Sequence, residues 1–511
     1  MGKRLICLAV AVMPELAAAE TGVVAGDKPI EIAAGVAQLF IDDYLIDTQR
    51  DLKRTLRQPK KDNGGNTPLV LLGEKGGTGR GTLMANGTIV YDLRLKRYVM
   101  FAKTWPGRRI SRLTSSDALV WIKGDNGQPE EIPIDLMDAA TGRSATNADM
   151  FSCYYDLKDA QYPYRGWLHF ANWGDDLEGV FFMRSRDGKK WERGPQVVNG
   201  YAGRSDPSCR EIKQKGRTLR GPGDVTQFYY DPVGDRFLGI FKFYSPTAVP
   251  PGNRLRSRAY VFLEKLDQPF DTKRIDHVEL LPRAAEANGD QPYDEYYAST
   301  AWRYESLWLG GLKIWHSKGD YPYSVAGCAF LKLVVSRDGL HWKKVPFPCE
   351  SGLPEVFIPN GPEGGNDGLN DGGYMTEFSQ GPLRIGDELI YYYGCSSYGK
   401  NHKTPTRISG GGIFRARLRA DGFVSVDGGT LLTRPMRFAG RDLFANAVGP
   451  VAVEALDARG KSLGEVNVGG DSLRHRVTFA GKSLSQIEPD GVVRLRFTVR
   501  QPGRLYSFAV R

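Results

Sequence analysis

Three copies of one short pattern, widely spaced, limit what this chain can fold into. Ser115-Ser116-Asp117-Ala118-Leu119-Val120-Trp121, Ser185-Arg186-Asp187-Gly188-Lys189-Lys190-Trp191 and Ser336-Arg337-Asp338-Gly339-Leu340-His341-Trp342 all read Ser-x-Asp-x-x-x-Trp. The pattern describes a hairpin: Asp folds onto following backbone N–H groups, Gly takes the left-handed position, and Trp restarts a strand and covers the turn. The offsets are 70 and 151 residues, the second close to twice 75, so a unit between 191 and 336 has lost the signature.

A second series precedes each hairpin with the same period. Its members start at Asn86, Asp149, Asp224, Asp294 and Glu377, at intervals of 63, 75, 70 and 83 residues. Each is a strand entering a turn, followed by a second apolar strand: 97 to 102, 166 to 173, 237 to 243, 307 to 315 and 388 to 394. The chain has 61 glycines in 511 residues and no long apolar repeat at helical spacing, which indicates a β protein rich in turns. Five units of about four strands predict an all-β fold, a five-bladed β-propeller over residues 38–428. A solenoid fits less well, because loop lengths vary and no polar capping unit appears. The strand at Phe40 to Ile46 is expected to close the ring with the last blade.

After Gly429 the pattern changes. Residues 451–455, 474–479, 492–499 and 505–510 alternate apolar and polar, which predicts a small antiparallel β-sandwich over 429–511. The alternation places Arg494, Arg496 and Arg500 on one side, facing solvent or a ligand. At the other end, Lys3 and Arg4 precede an apolar run from Leu5 to Met13 and the small residues Ala17 to Ala19. That is the pattern of a secretory signal peptide over 1–19, too short to span a bilayer, and it predicts a secreted or periplasmic protein. Of the six cysteines, the five beyond the signal are irregularly spaced and read mostly as small core residues.

The formal net charge is +10, with thirteen Lys/Arg against seven Asp/Glu from residue 430 onward. No nucleic-acid motif accompanies it, and Gly76 to Gly81 lacks the Lys-Ser/Thr ending of a phosphate-binding loop. In an exported protein the fitting anion is a sulfated or uronate-containing glycan. The oligomeric state is not legible.

In a propeller the inner strands converge on one axis, so equivalent strand starts meet there. Four of the five carry a carboxylate: Asp149, Asp224, Asp294 with Glu295, and Glu377. Carboxylates gathered at a funnel suit glycoside cleavage, which needs one protonated group for the leaving oxygen and one ionised group as nucleophile or base. Asp149, Asp224, Glu295 and Glu377 are therefore the catalytic candidates. Each taken alone is also a good turn cap at a strand start. Asn86, Arg204, Asp206, Arg210, Asp294, Trp173, His169, His316 and His402 are candidates for binding substrate. No metal site is assigned, since the histidines lack a local ligand spacing, and no cofactor is expected apart from a structural Ca²⁺ at the axis. The Gly/Asn/Asp-rich segment 360–373 reads as a lid or a Ca²⁺ loop.

Several segments also carry a family likeness: Leu39-Phe40-Ile41-Asp42-Asp43-Tyr44-Leu45-Ile46, Leu52-Lys53-Arg54-Thr55-Leu56-Arg57-Gln58-Pro59, Gly386-Asp387-Glu388-Leu389-Ile390-Tyr391-Tyr392-Tyr393-Gly394 with His402, and Asp421-Gly422-Phe423-Val424-Ser425. The chain resembles exported bacterial proteins similar to the N-terminal domain of the invertase and levanase glycoside hydrolases, in the family 32/43-like five-bladed propeller superfamily. The resemblance covers residues 38–511 and implies a propeller acting on glycans. Asn86-Gly87 and Arg204-Ser205-Asp206-Pro207 depart from the invertase Asn-Asp-Pro-Asn-Gly and Arg-Asp-Pro motifs, and the Glu-Cys pair is missing. Fructan cleavage is therefore not implied. The two Asp and one Glu of related arabinanase and xylosidase propellers match Asp149, Asp224 and Glu295 or Glu377 in residue type.

Overall fold

The repeated Asp residues build the hairpins that the pattern requires. The Oδ1 of Asp117 accepts from Leu119 and Val120 N–H at 2.8 and 2.9 Å, that of Asp187 from Lys189 and Lys190, and that of Asp338 from Leu340 and His341. Gly188 and Gly339 take φ of 71° and 85°, and Ala118 takes the same station at 59°. Trp191 and Trp342 donate their indole N–H back to the carbonyl of that glycine. Hydrogen bonds from backbone amides and a serine hydroxyl, joined in Asp338 by the His341 ring, hold Asp117 and Asp338 at about 2, well below the usual Asp value; for Asp338 this outweighs the effect of partial burial.

The computed structural model describes residues 28–71, 82–84, 88–105, 109–124, 129–132, 148–170, 178–199, 211–214, 217–220, 225–245, 255–270, 279–280, 294–317, 327–352, 355–378, 380–400, 408–488 and 491–511. The signal-like segment 1–19 lies outside them.

The hairpins join antiparallel strands into five sheets. Blade one pairs Thr82–Met84 and Ile89–Asp92 with Arg97–Trp105, then Ile110–Ser115 and Glu130–Glu131. Blade two is Ala148–Tyr155, Tyr164–Phe170, Gly179–Ser185 and Trp191–Asn199. Blade three runs Gln227–Asp231, Arg236–Ser245, Leu255–Leu263 and Glu279–Leu280, with the hairpin Glu211–Gln214 and Arg217–Arg220 on its flank. Blade four contains Glu295–Ser299, Trp302–Tyr304, Leu307–Ser317, Gly327–Ser336 and Lys343–Lys344. Blade five contains Met375–Phe378, Leu383–Ile385, Glu388–Cys395 and Gly412–Arg419. Each sheet packs on the next and the fifth on the first, so the chain is a closed five-bladed β-propeller.

Turn carboxylates also tie neighbouring blades. Asp92 of blade one, fully buried, accepts from the Tyr164 hydroxyl of blade two at 2.5 Å, and Asp231 of blade three takes two nitrogens of Arg303 from blade four.

The ring closes differently from expectation. Its fourth strand in blade five is Lys60–Lys61, paired with Arg417 and Ala416, whereas Gln38–Leu39 pairs with Arg504–Val510. Ile30–Ile32, Gln38–Leu39 and the long Ile46–Leu56 join the strands beyond blade five in one eleven-stranded sheet. Val424–Thr433 runs across residue 428 and pairs with Ile46–Leu56, so the chain ends share one core around Phe40, Leu431, Phe497 and Phe508. Arg494 departs from the expected outward face: it is buried, paired with Asp47, and donates to the Thr433 carbonyl. Cys153, Cys349 and Cys395 are buried, and Cys328 is half-buried.

These hairpin glycines yield a test. A Cβ on Gly339 meets the Phe262 ring at 2.6 Å and the Trp308 nitrogen at 3.0 Å, whereas one on Gly35, φ 78°, meets nothing within 4 Å. Gly35→Ala carries only left-handed strain, about 1–2 kcal/mol. Gly339→Ala adds overpacking and is expected to lose roughly 1–3 kcal/mol more. Urea unfolding of the two variants side by side measures the difference.

Candidate functional site

Three inner strands break register at one station. In blade two the pairing skips from Ala148 to Phe151, in blade four from Tyr296 to Ala298, and in blade five from Met375 to Phe378. The residues thrown out of the ladder include Asp149, Tyr297 and Glu377. A β-bulge leaves its extra residue unpaired and re-aims it. Met150, Val225, Tyr297 and Tyr374, from successive blades, meet in one apolar cluster with Trp315.

The second strands contribute a matching set. Lys103, Lys242 and Lys313 are each the seventh residue of their strand, His169 the sixth of its own, and Gly394 stands seventh in blade five. All four basic residues are buried.

The two sets interlock around the axis. Lys103 of blade one pairs with Asp149 of blade two, whose other oxygen lies 4.0 Å from His169 Nδ1. Arg256 of blade three pairs with Glu295 of blade four, and its guanidinium also lies 4.5 Å from the Tyr297 ring. Arg258 donates to the Tyr296 carbonyl at 3.0 Å and to the Val225 carbonyl at 2.9 Å. Val225 itself holds φ of 60°, a strained conformation for a β-branched residue. Lys313 sits 3.6 Å over the Tyr374 ring, and Lys400 donates to the Tyr297 hydroxyl at 2.7 Å. Nearer the rim, His316 Nδ1 and Asp294 Oδ1 are 2.8 Å apart, with the imidazole partly exposed.

Burial and this charge pattern shift three groups. Burial drives Lys242 well below the ordinary lysine value, and Arg256 and Arg258 push it the same way. Burial lowers His169 to about 4 against the pull of Asp149 and Glu178, so the imidazole is neutral. Tyr297 moves the other way: burial would raise it, but Lys400, Arg256 and Lys313 overcome that and bring it down to about 7.

Of the residues singled out from sequence, Asp149, Glu295 and His169 come together in this ring, with Asp294 and His316 beside it. Glu377 lies on the bulged strand of blade five, its side chain outside the described residues. Asn86, Trp173, Arg204, Asp206, Arg210, Asp224 and His402 also lie outside them. Trp167, Trp302, Trp308 and Trp315 are core residues. Among the described residues no three His, Cys, Asp or Glu side chains gather as a metal site. The segment 360–373 packs as a staple: Asn370 and Asp371 are buried, and Asp371 accepts from Lys61 at 2.6 Å and from the Tyr393 hydroxyl at 2.9 Å. Sequence reasoning passed over Lys103, Lys242, Lys313, Arg256, Lys400 and Tyr297. A lysine recurring inside apolar strands was the available signal, since lysine is almost never fully buried unless paired.

No family model and no curated protein matches the chain. Among solved structures it is similar to BT0996 in a complex with RGII, at 10% identity and TM-score 0.43 over 71% of this chain and 92% of that one. It is similar to a GH130 structure, from a family of mannoside phosphorylases that contains glycoside hydrolases targeting β-1,2 mannosidic linkages in Candida mannan, at 12% identity and TM-score 0.41 over 73% and 96%. A family 43 arabinoxylan arabinofuranohydrolase from Bacillus subtilis aligns at 13% identity and TM-score 0.38 over 89% and 99%.

The neutral His169 gives a pH signature. Its folded value, about 4, lies below the unfolded 6.5, so its contribution is complete above 6.5 and is lost as pH falls toward 4. Unfolding free energy is expected to drop by roughly 2–3 kcal/mol over that window from this group alone. In His169→Gln that part of the drop disappears, as read by urea melts at pH 7 and pH 4.5.

Proposed function

We propose that the chain is an exported glycoside hydrolase that cleaves a polysaccharide or oligosaccharide by paired-carboxylate chemistry at the propeller axis. The observation that carries this reading is that Asp149 of blade two and Glu295 of blade four both act on the buried Lys242 of blade three, in a ring beside the strand bearing Glu377. A carboxylate that is one half of an ion pair offers negative charge rather than a proton. Asp149 with Lys103, and Glu295 with Arg256, therefore suit stabilising an oxocarbenium-like transition state or acting as nucleophile, and Asp224 joins them as the alternative to Asp149. The proton for the leaving oxygen falls to Glu377. The buried Lys and Arg side chains suit a glycan bearing uronate or sulfate groups.

One observation favours a second reading. Asp149, Asp294 and Glu295 all have basic partners, which also suits a propeller that binds glycan without cleaving it.

The test is product release by residues 20–511 across neutral, uronate and sulfated polysaccharides, wild type beside Glu377→Gln and Asp149→Asn. Glu377→Gln is expected to lower turnover by about 10²–10⁴-fold with its melting temperature unchanged. Full turnover in that variant removes Glu377 from the mechanism. Binding without release by wild type favours the second reading.

A further inference from the structure

Tyr297 is the residue thrown out of register in blade four, where blade two displaces Asp149 and Met150 and blade five displaces Thr376 and Glu377. Its hydroxyl touches Lys400, from beyond the second strand of blade five, at 2.7 Å. Arg256 of blade three lies 4.5 Å from its ring and Lys313, on the adjacent strand of its own blade, 4.9 Å. Tyr374 of blade five packs edge-on at 5.9 Å and Trp315 lies at 6.1 Å, with Met150 and Val225 in the same cluster. Glu295, two residues earlier on the strand, pairs with the same Arg256. The charged groups that act most strongly on this phenol are three cations, Lys400, Arg256 and Lys313.

We infer that Tyr297, as a phenolate held by Lys400, is the proton acceptor of the axial site. The inference rests on the glycan-cleaving reading and adds the base to it. The phenolate oxygen takes a proton from water as the water oxygen bonds to the anomeric carbon. The glycosidic C–O bond breaks with its electron pair staying on the leaving oxygen, which takes the proton of Glu377. The products are a hemiacetal and an alcohol; solvent then accepts the phenol proton and returns one to Glu377. Asp149 and Glu295, held by their own cations, stabilise the charge on the sugar ring. A base is most effective with its pKa near the working pH, and the three cations bring Tyr297 down from 10 to about 7.

Two measurements decide it, one independent of turnover. In an ultraviolet titration of residues 20–511, one of the 24 tyrosines is expected to ionise near pH 7, with that signal missing from Tyr297→Phe. Wild type and Tyr297→Phe titrating alike, with no tyrosine ionising below about pH 9, overturns the inference. In kinetics on a cleaved glycan, kcat is expected to rise with pH through about 7. Lys400→Met is expected to move that rise to higher pH, and Tyr297→Phe to abolish it and lower kcat by about 10²–10⁴-fold with little change in KM. A Tyr297→Phe enzyme that keeps the pH-dependent rise shows that Tyr297 only packs. A tyrosine titrating near 7 in a chain that cleaves no glycan overturns the hydrolase reading, and the acceptor role with it, while confirming the phenolate.

Discussion

Everything at the axis depends on the ring being held shut. The backbone pairing that closes it is short, two residues at Lys60–Lys61 joined to the strand of Ala416 and Arg417, far along the chain. Loop closure of that length is costly, and so short a ladder cannot hold it alone. Charge holds it instead. Lys61 reaches into the protein to the buried Asp371 and the Pro359 carbonyl, and Asp62 receives Arg415 and Arg417 at 2.6 and 3.2 Å. Immediately before them Arg57 bridges Asp427 and Glu350, and Ile46–Leu56 is zipped to Val424–Thr433. The closing segment is thus gripped on one side by blade five and on the other by the eleven-stranded sheet, whose core contains residues from both chain ends.

A closed ring explains why bulges matter here. A strand in regular register alternates its side chains between the two faces of its blade, both of which pack on neighbouring blades. Pointing a group along the axis requires stepping out of that alternation. Asp149-Met150 and Tyr297 step out of it in blades two and four, blade five breaks register at Thr376-Glu377, and the left-handed Val225 precedes the inner strand of blade three.

Much of this was legible in sequence, for a physical reason. Asp turns leave a local signature, because the carboxylate caps amides two and three residues on, so the hairpins and the five-unit period could be read directly. Asp149 followed from the period alone. The ring closure was not legible, because pairing of Lys60 with Arg417 is a distant contact between two unremarkable basic residues. Asp371 was misread for a related cause: in a Gly/Asn/Asp-rich stretch a buried anchor and an exposed loop have the same composition. Arg494 alternated correctly with its apolar neighbours, yet the side it faces is covered by Asp47 from the other end of the chain. Tyr297 was hidden by its type, since tyrosine in a strand is ordinary and only the bulge and three distant cations distinguish it.

The lysines of the second strands carry the strongest argument for a site. Lys103, Lys242 and Lys313 occupy one station in three blades, with His169 close to it in a fourth, all buried. Stability does not account for them. Desolvating an ammonium costs several kcal/mol, and replacing a buried ion pair by packed apolar residues is often neutral or stabilising. Strands as apolar as Phe241 and Leu312 make them would accept leucine or methionine at those stations. A folded chain that places basic groups repeatedly at its least favourable position, around the one line where all five blades converge, is organised for the chemistry of that line. The same low dielectric that makes those cations costly is what lets three of them turn a phenol into a base.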